Sequence, residues 1–275
     1  MKTAMMGLLA ETSLHPGAES STGAIDLPVA REAVTQYPVI VGSSLKGALR
    51  DLARHSLGDS VADSVFGIPD NAGQVMVGDA RLLLLPVRSL SAPYRWVTCP
   101  YVLERFQRDL ALAGQSVHFA VPNPDDETAV VTAGQGRLFL EEVCLNVKPG
   151  NLEALAGTVG SLVYHPSVRE RLAGQLTIIS NNNFQYFARY GLQVNARNNL
   201  DTATKTSRNL WYEETVPPDT LFCSLVMTRP GMEGAFDAVR AMFGQRPYLQ
   251  LGGNETVGQG WCCVTWTEAG GGVNG

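Results

Sequence analysis

"VIVGSSLKGALRDLAR", residues 39–54, holds the change of pattern on which the fold reading turns. Val39, Ile40 and Val41 make a β-branched run suited to a strand, and Gly42-Ser43-Ser44 ends it. From there Leu45, Ala48, Leu49 and Leu52 fall at i, i+3, i+4 and i+7, so one side of a helix is apolar and faces a core. Ser43 or Ser44 is expected to cap that helix. A helix N-terminus presents unpaired N–H groups and a partial positive charge, and Lys46 stands in the first turn. Arg50 and Arg54 follow at i+4 and i+8 along the same flank. Three aligned cations read either as a groove for an anion or as the solvated edge of an amphipathic helix. The glycine spacing excludes a Walker A loop.

Working outward, residues 1–10 and 36–42 read as strands. Between them residues 13–35 have no sustained period, and a loop of that length in a compact domain is functional or mobile. Residues 73–90 read as a strand pair or one long strand. Residues 98–114 read as a helix with Thr98 as cap, Pro100 in its first turn and Gly114 past its end. Short strands and turns surround "VPNPDDE" (121–127), a weaker helix runs through 151–163, and "QLTIIS" (175–180) has the look of a buried strand. Residues 217–227 form another strand, and Met232, Phe236, Val239 and Phe243 share a helix face that Gly244 terminates. "YLQLGG" and "GWCCVTW" close the pattern, with a disordered tail expected over 268–275. This order suits an α+β domain with helices on one face of an antiparallel sheet. A ferredoxin-like βαββαβ unit is its economical form.

With 275 residues, 45% hydrophobic and 17% charged, the chain has enough apolar surface for a sizeable core. No apolar run approaches the roughly 20 residues of a membrane span, and the N-terminus fits a first strand better than a signal peptide. A cytoplasmic protein with no membrane partner is expected. The cysteines at 99, 144, 223, 262 and 263 form no C-x-x-C pair, so they read as reduced, small core residues. The net charge of −5 argues against indiscriminate coating of nucleic acid. Phosphate contacts depend on local patches, however, and not on the sum.

Two further segments bear on chemistry. In "LGGNETVGQGW" (251–261), Gly252, Gly253, Gly258 and Gly260 allow close backbone approach to a ligand, with Asn254 and Thr256 as donors; a hairpin connection uses the same residues. In residues 184–214, Phe184, Tyr186, Phe187 and Tyr190 mingle with Arg189, Arg197, Lys205 and Arg208, and Trp211 and Tyr212 follow. That mixture suits stacking on single-stranded nucleic acid, or an aromatic core edge beside a polar hairpin.

"PVIVGSSLKGALRDLAR" (38–54) and "GGNETVGQGW" (252–261) resemble the signature motifs of the RAMP superfamily of CRISPR proteins. More narrowly, residues 14–50, "WVTCPYVLERFQRDL" (96–110) and "NLWYEETVPPDTLF" (209–222) resemble the fourth, repeated backbone subunit family of the type III-B Cmr effector. The likeness runs over nearly the whole chain. It implies a ferredoxin-like palm from about 1–90 and 216–267, insertions over about 91–183, and a thumb hairpin over about 184–215. Residues 195–209 carry more asparagine and fewer arginines than the usual thumb.

The resemblance also implies partners and roles. Copies would stack head to tail on a guide crRNA, in a complex with other Cmr subunits and a target RNA. Ser43, Ser44, Lys46, Arg50 and Arg54 would hold guide phosphates, with Gly252, Gly253, Asn254 and Thr256 beside them and Arg197, Lys205 and Arg208 on the thumb. Target RNA would be cleaved with Asp26 as the essential acid and as holder of a divalent metal, Mg²⁺. His15 is the second catalytic candidate, as a proton shuttle. Glu213, Glu214 and Tyr212 could assist, although on composition they read as a solvated acidic turn. By its residue type alone Asp26 is a turn former or cap. The alternatives within the superfamily are a guide-processing endoribonuclease and a backbone without activity; outside it, a small-molecule enzyme on the glycine loop lacks Rossmann or P-loop spacing.

Overall fold

Thr3–Ala10 forms strand β1, and its burial runs unbroken from Ala4 to Ala10 because both of its faces are covered. The computed structural model describes residues 1–18 and 23–268, so the tail expectation falls almost wholly outside the described residues. Helix α1 spans Gly42–Leu57, β2 Ala80–Arg88, β3 Leu221–Thr228, α2 Glu233–Ala241 and β4 Trp261–Glu268. The chain is α+β. These four strands lie in the spatial order β4-β1-β3-β2, every neighbouring pair antiparallel. Gly7 is opposite Cys223 on one side and Thr265 on the other.

The sheet continues beyond β2 through Tyr94–Thr98, Leu176–Ile178, Thr128–Val131, Val143–Pro149 and Arg137–Leu140, and Tyr248–Gln250 borders β4. Tyr94–Thr98 and Leu176–Ile178 run parallel, so the sheet is mixed. Its two faces near β1 are covered differently. Phe236 of α2 packs edge-on against Trp266, 5.5 Å between ring centres, and Trp266 pairs with Met6. On the opposite face the turn after the helix Glu153–Gly160 comes so close that a Cβ on Gly7 would lie 2.3 Å from the Leu162 carbonyl oxygen.

In α1, Leu45, Leu49 and Ala53 are fully buried, with Ala48 and Leu52 packed at the margin. Burial of each leucine stabilises by about 2 kcal/mol. The helix starts at Gly42, with extended Val41 before it, so Ser43 and Ser44 lie inside the first turn and neither caps. Asp79 does that work from a turn near the start of β2, its Oδ1 accepting the Gly42 N–H at 2.7 Å. Thr98 likewise is not a cap: the next long helix is Pro100–Leu112, preceded by Cys99, with Pro100 in its first turn.

The strand expected over 36–42 shrinks to Val39–Ile40. The aromatic stretch from 184 is a helix, Asn181–Tyr190, capped by Ser180 and burying Phe184, Phe187 and Ala188. The hairpin proper is Gln193–Leu200 paired with Ser207–Thr215, and its strands join no other sheet. Cys99, Cys223, Cys262 and Cys263 are buried free thiols, while Cys144 is exposed. Among the described residues no helix is long and apolar enough to cross a membrane.

Candidate functional site

The loop after residue 22 closes on the base of the hairpin. Leu27 donates its N–H to the Tyr212 carbonyl at 3.1 Å and accepts the Glu214 N–H at 3.0 Å, a short parallel bridge. Asp26, exposed, is fastened to the same strand edge: its Oδ2 accepts the Tyr212 N–H at 2.7 Å. Among the described residues its other oxygen has no hydrogen-bond partner.

Glu213 and Glu214 are not a solvated turn. They are 2% and 4% exposed, and a buried carboxylate needs compensating partners. Consecutive strand residues face opposite ways, which sends the two carboxylates to different neighbours. Glu214 accepts from Arg31 Nη2 at 2.6 Å and from the Val29 N–H at 3.0 Å. Arg31 also donates to the carbonyls of Gln36 and Ala188, each at 2.7 Å, so one guanidinium ties the Asp26 loop to the hairpin and to the preceding helix. Glu213 accepts from Arg197 at 3.2 Å and from the Asn254 side-chain amide.

His15 meets the same strand two residues along from the Asp26 anchor. Its Nδ1 lies 2.7 Å from the Glu214 carbonyl, which can only accept, so Nδ1 carries a proton. The anchors of Asp26 and His15 are therefore roughly 7 Å apart on one strand edge. Unlike Asp26, the His15 ring is buried, and its Nδ1 is 4.0 Å from Glu213. The His15 carbonyl accepts the Gly253 N–H at 2.9 Å, which draws the glycine turn onto the loop. Gly252 has φ +79°, and a Cβ there would sit 2.3 Å from that carbonyl oxygen. Asn254, with φ +64°, directs its amide to Glu213 and Gln259 and so is occupied internally. Thr256 stands exposed on the turn Glu255–Val257.

The predicted phosphate groove divides along α1. Ser43, Lys46 and Arg50 line a cleft of about 380 Å³ against the small hairpin of Gly67–Ile68 and Asn71–Ala72. Ser44 lies on the other flank, which Asp51, His55, Gly252 and Glu255 also line. Arg54 turns away to Asp63 at 3.1 Å and Asp59 at 3.7 Å, so two of the three aligned cations remain in the cleft. Asp79 already occupies the first helical N–H, so an anion in this cleft would meet the later N–H groups of the first turn together with the side chains. On the hairpin, Arg197 is paired with Glu213 and Arg208 with Asp201, whereas Lys205 is exposed in the connecting turn. Tyr186 and Tyr190 are exposed on the helix that buries Phe184 and Phe187, so the aromatic stretch serves the core and the surface at once.

Arg31 and Asp79 escaped the sequence reading. Each acts on a residue set by the tertiary fold, and no local spacing marks such a role.

A four-stranded antiparallel sheet within a larger mixed sheet, with helices in its crossovers and a separate two-stranded hairpin, defines the class as α+β. The chain belongs to the RAMP superfamily, whose model matches residues 8–263. It is 35% identical to the CRISPR system Cmr endoribonuclease Cmr4 of Pyrococcus furiosus over 98% of this chain and 97% of that protein. The crystal structure of oligomeric Cmr4 from Pyrococcus furiosus superimposes with a TM-score of 0.80 at 32% identity, covering 98% of this chain and 100% of the other. A chain of the type III-B Cmr-beta complex, solved by cryo-EM bound to cognate target RNA, shares the fold with a TM-score of 0.78 at 22% identity, covering 97% of each.

Proposed function

We propose that this chain is the repeated backbone subunit of a type III-B CRISPR effector, binding guide RNA as a head-to-tail filament and cutting the complementary target RNA. The full-length likeness to an endoribonuclease supports the activity, and the likeness to an oligomeric relative supports the filament. The β4-β1-β3-β2 order with α1 and α2 in the crossovers supports a ferredoxin-like palm built from about 1–90 and 216–267. In this reading residues 91–183 are insertions and the hairpin is the thumb. Five free thiols suit the reducing cytoplasm.

The observation that carries the proposal is the Asp26 carboxylate, exposed, held by one oxygen at the foot of the hairpin and, among the described residues, without a partner on the other. In such cleavage a ribose 2′-hydroxyl attacks the adjacent phosphorus while the 5′-oxygen leaves in line. Asp26 takes the proton from the attacking hydroxyl. His15, buried and fixed through Nδ1, positions the loop and the glycine turn. Lys46, Arg50 and Ser43 hold phosphates of the guide strand; Lys205 reaches for RNA from the hairpin tip.

Mg²⁺ habitually takes one or two carboxylates together with substrate phosphates, and a single free carboxylate oxygen fits that habit. Asp26 would then hold the ion instead of taking the proton, and the ion would supply charge stabilisation at the phosphate. The test is an assembled complex carrying Asp26→Ala. Target binding persists and cleavage at regular intervals ceases; undiminished cleavage removes Asp26 from the chemistry.

A further inference from the structure

We propose that Glu11, His165 and Cys263 form a binding site for one divalent transition ion of the zinc class. Their donor atoms lie within 4.8 Å of one another. The three arrive from separate parts of the fold: Glu11 just past the end of β1, Cys263 within β4, and His165 at the start of the helix Pro166–Gln175. Leu9 pairs with Cys263, so side chains of β1 two residues apart and the thiol share one face of the sheet. That is the face on which residues 162–165 settle, beside Gly7.

The donor set selects the ion. Imidazole nitrogen, thiolate sulfur and carboxylate oxygen are the ligands zinc takes, with bonds of about 2.0–2.3 Å that put donors about 3.3–3.7 Å apart. Glu11 Oε1 and His165 Nε2 are already 3.0 Å apart, so modest side-chain rotation completes the geometry. Magnesium and calcium prefer oxygen throughout and are disfavoured by the sulfur. A surface Glu–His pair by itself is a weak interaction and has no need of a thiol. The His165 ring is confined by Tyr164, edge-on at 5.3 Å, and by Tyr248 at 6.4 Å. Glu11 and His165 are about a third exposed, which leaves a fourth position open to water. The ion would tie the end of the first strand, the last strand and the inserted helix together, and the site shares no residue with the hairpin base.

The experiment uses the purified chain stripped with chelator and titrated with Co²⁺ or Zn²⁺ alone. Co²⁺ produces a thiolate-to-metal charge-transfer band at one equivalent, and Zn²⁺ at a hundredfold excess over its Kd raises the unfolding midpoint on the order of 5 °C. Cys263→Ser abolishes the band. His165→Gln, at a partly exposed position that the fold tolerates, weakens binding at least about tenfold. Cys144→Ser, at the exposed thiol, leaves the band intact. The proposal is overturned by absence of the band in the parent chain, by wild-type affinity in His165→Gln, or by loss of the band in Cys144→Ser.

Discussion

Asp26 takes its position from Tyr212: the carboxylate accepts the backbone N–H of that strand residue at 2.7 Å, so the hairpin and not the loop alone sets where the acid stands. Asp26→Asn keeps an acceptor for this N–H and removes the carboxylate proposed to act in cleavage. Cleavage by the assembled complex falls about 10²–10⁴-fold, with target affinity unchanged. Asp26→Ala loses cleavage as well and also releases the anchor, at a cost of about 1 kcal/mol. Comparison of cleavage rate and thermal midpoint for the two variants separates chemistry from anchoring; equal stability losses would count against the anchor.

The α1 cleft makes an unequal prediction for three cations of one helix flank. Lys46→Ala and Arg50→Ala each weaken guide RNA binding and lower the salt slope by about 1, since each removes one of the proposed phosphate contacts. Arg54→Ala leaves the slope nearly unchanged, because that guanidinium is engaged by Asp63 and Asp59. Filter binding over a salt series reads all three, and an equal effect at Arg54 contradicts the division of the flank.

These contrasts mark what the sequence reveals. The apolar stripe of α1 and the helix after Cys99 are legible because period 3.6 decides burial locally, and strands β1 and β4 because a short, continuously apolar run fits a strand covered on both faces. Phe184, Phe187 and Ala188 also fall at i, i+3 and i+4, a helix signal masked by the base-stacking alternative that the surrounding aromatics invite. The cap of α1 was not legible: Asp79 lies 37 residues from Gly42, and only the fold brings them together. The same holds for Glu213 and Glu214, whose acidity suggests solvent until Arg197 and Arg31 are placed beside them. Asp26 itself became legible through resemblance, since a single aspartate in an aperiodic loop carries no spacing.

Glu213 is the buried meeting point of the hairpin and the glycine turn. Glu213→Ala leaves Arg197 without its acceptor and the Asn254 amide with Gln259 alone, and destabilises by about 2–4 kcal/mol. For a chain of this size that lowers the thermal midpoint by roughly 4–8 °C. Glu213→Gln retains one acceptor for Asn254 and loses about half as much. Scanning calorimetry of both variants tests the order, and a stable Glu213→Ala chain would return the residue to the solvated role its composition suggests.

Thiol reactivity follows from burial. In the metal-free chain desolvation raises the Cys99 thiol to about 11 and the Cys223 and Cys263 thiols to about 12, and it raises Cys262 as well, so these groups stay protonated at neutral pH until an ion displaces the proton of Cys263. The thiolate is the reactive form, and these four side chains are also out of contact with reagent. Native protein at pH 8 is therefore alkylated at Cys144 alone, with the remaining four modified only after denaturation, as intact-mass spectrometry would record.

Two glycines of the same turn separate contact from conformation. Gly252 and Gly258 have nearly the same φ, +79° and +80°, so an alanine at either meets the same left-handed backbone cost of about 1 kcal/mol. They differ in surroundings: an added Cβ meets the His15 carbonyl at 2.3 Å at Gly252 and nothing within 4 Å at Gly258. Gly252→Ala must push the turn off the His15 segment, breaking the Gly253 hydrogen bond to the His15 carbonyl. Its denaturant midpoint falls further than that of Gly258→Ala by an amount worth about 1–2 kcal/mol at unchanged m-value. Because His15 and Asp26 share one strand edge, displacing the turn also slows cleavage in the assembled complex, whereas Gly258→Ala cuts at the parental rate. Equal midpoints for the two variants would mean that the close approach of turn and loop does not constrain the site.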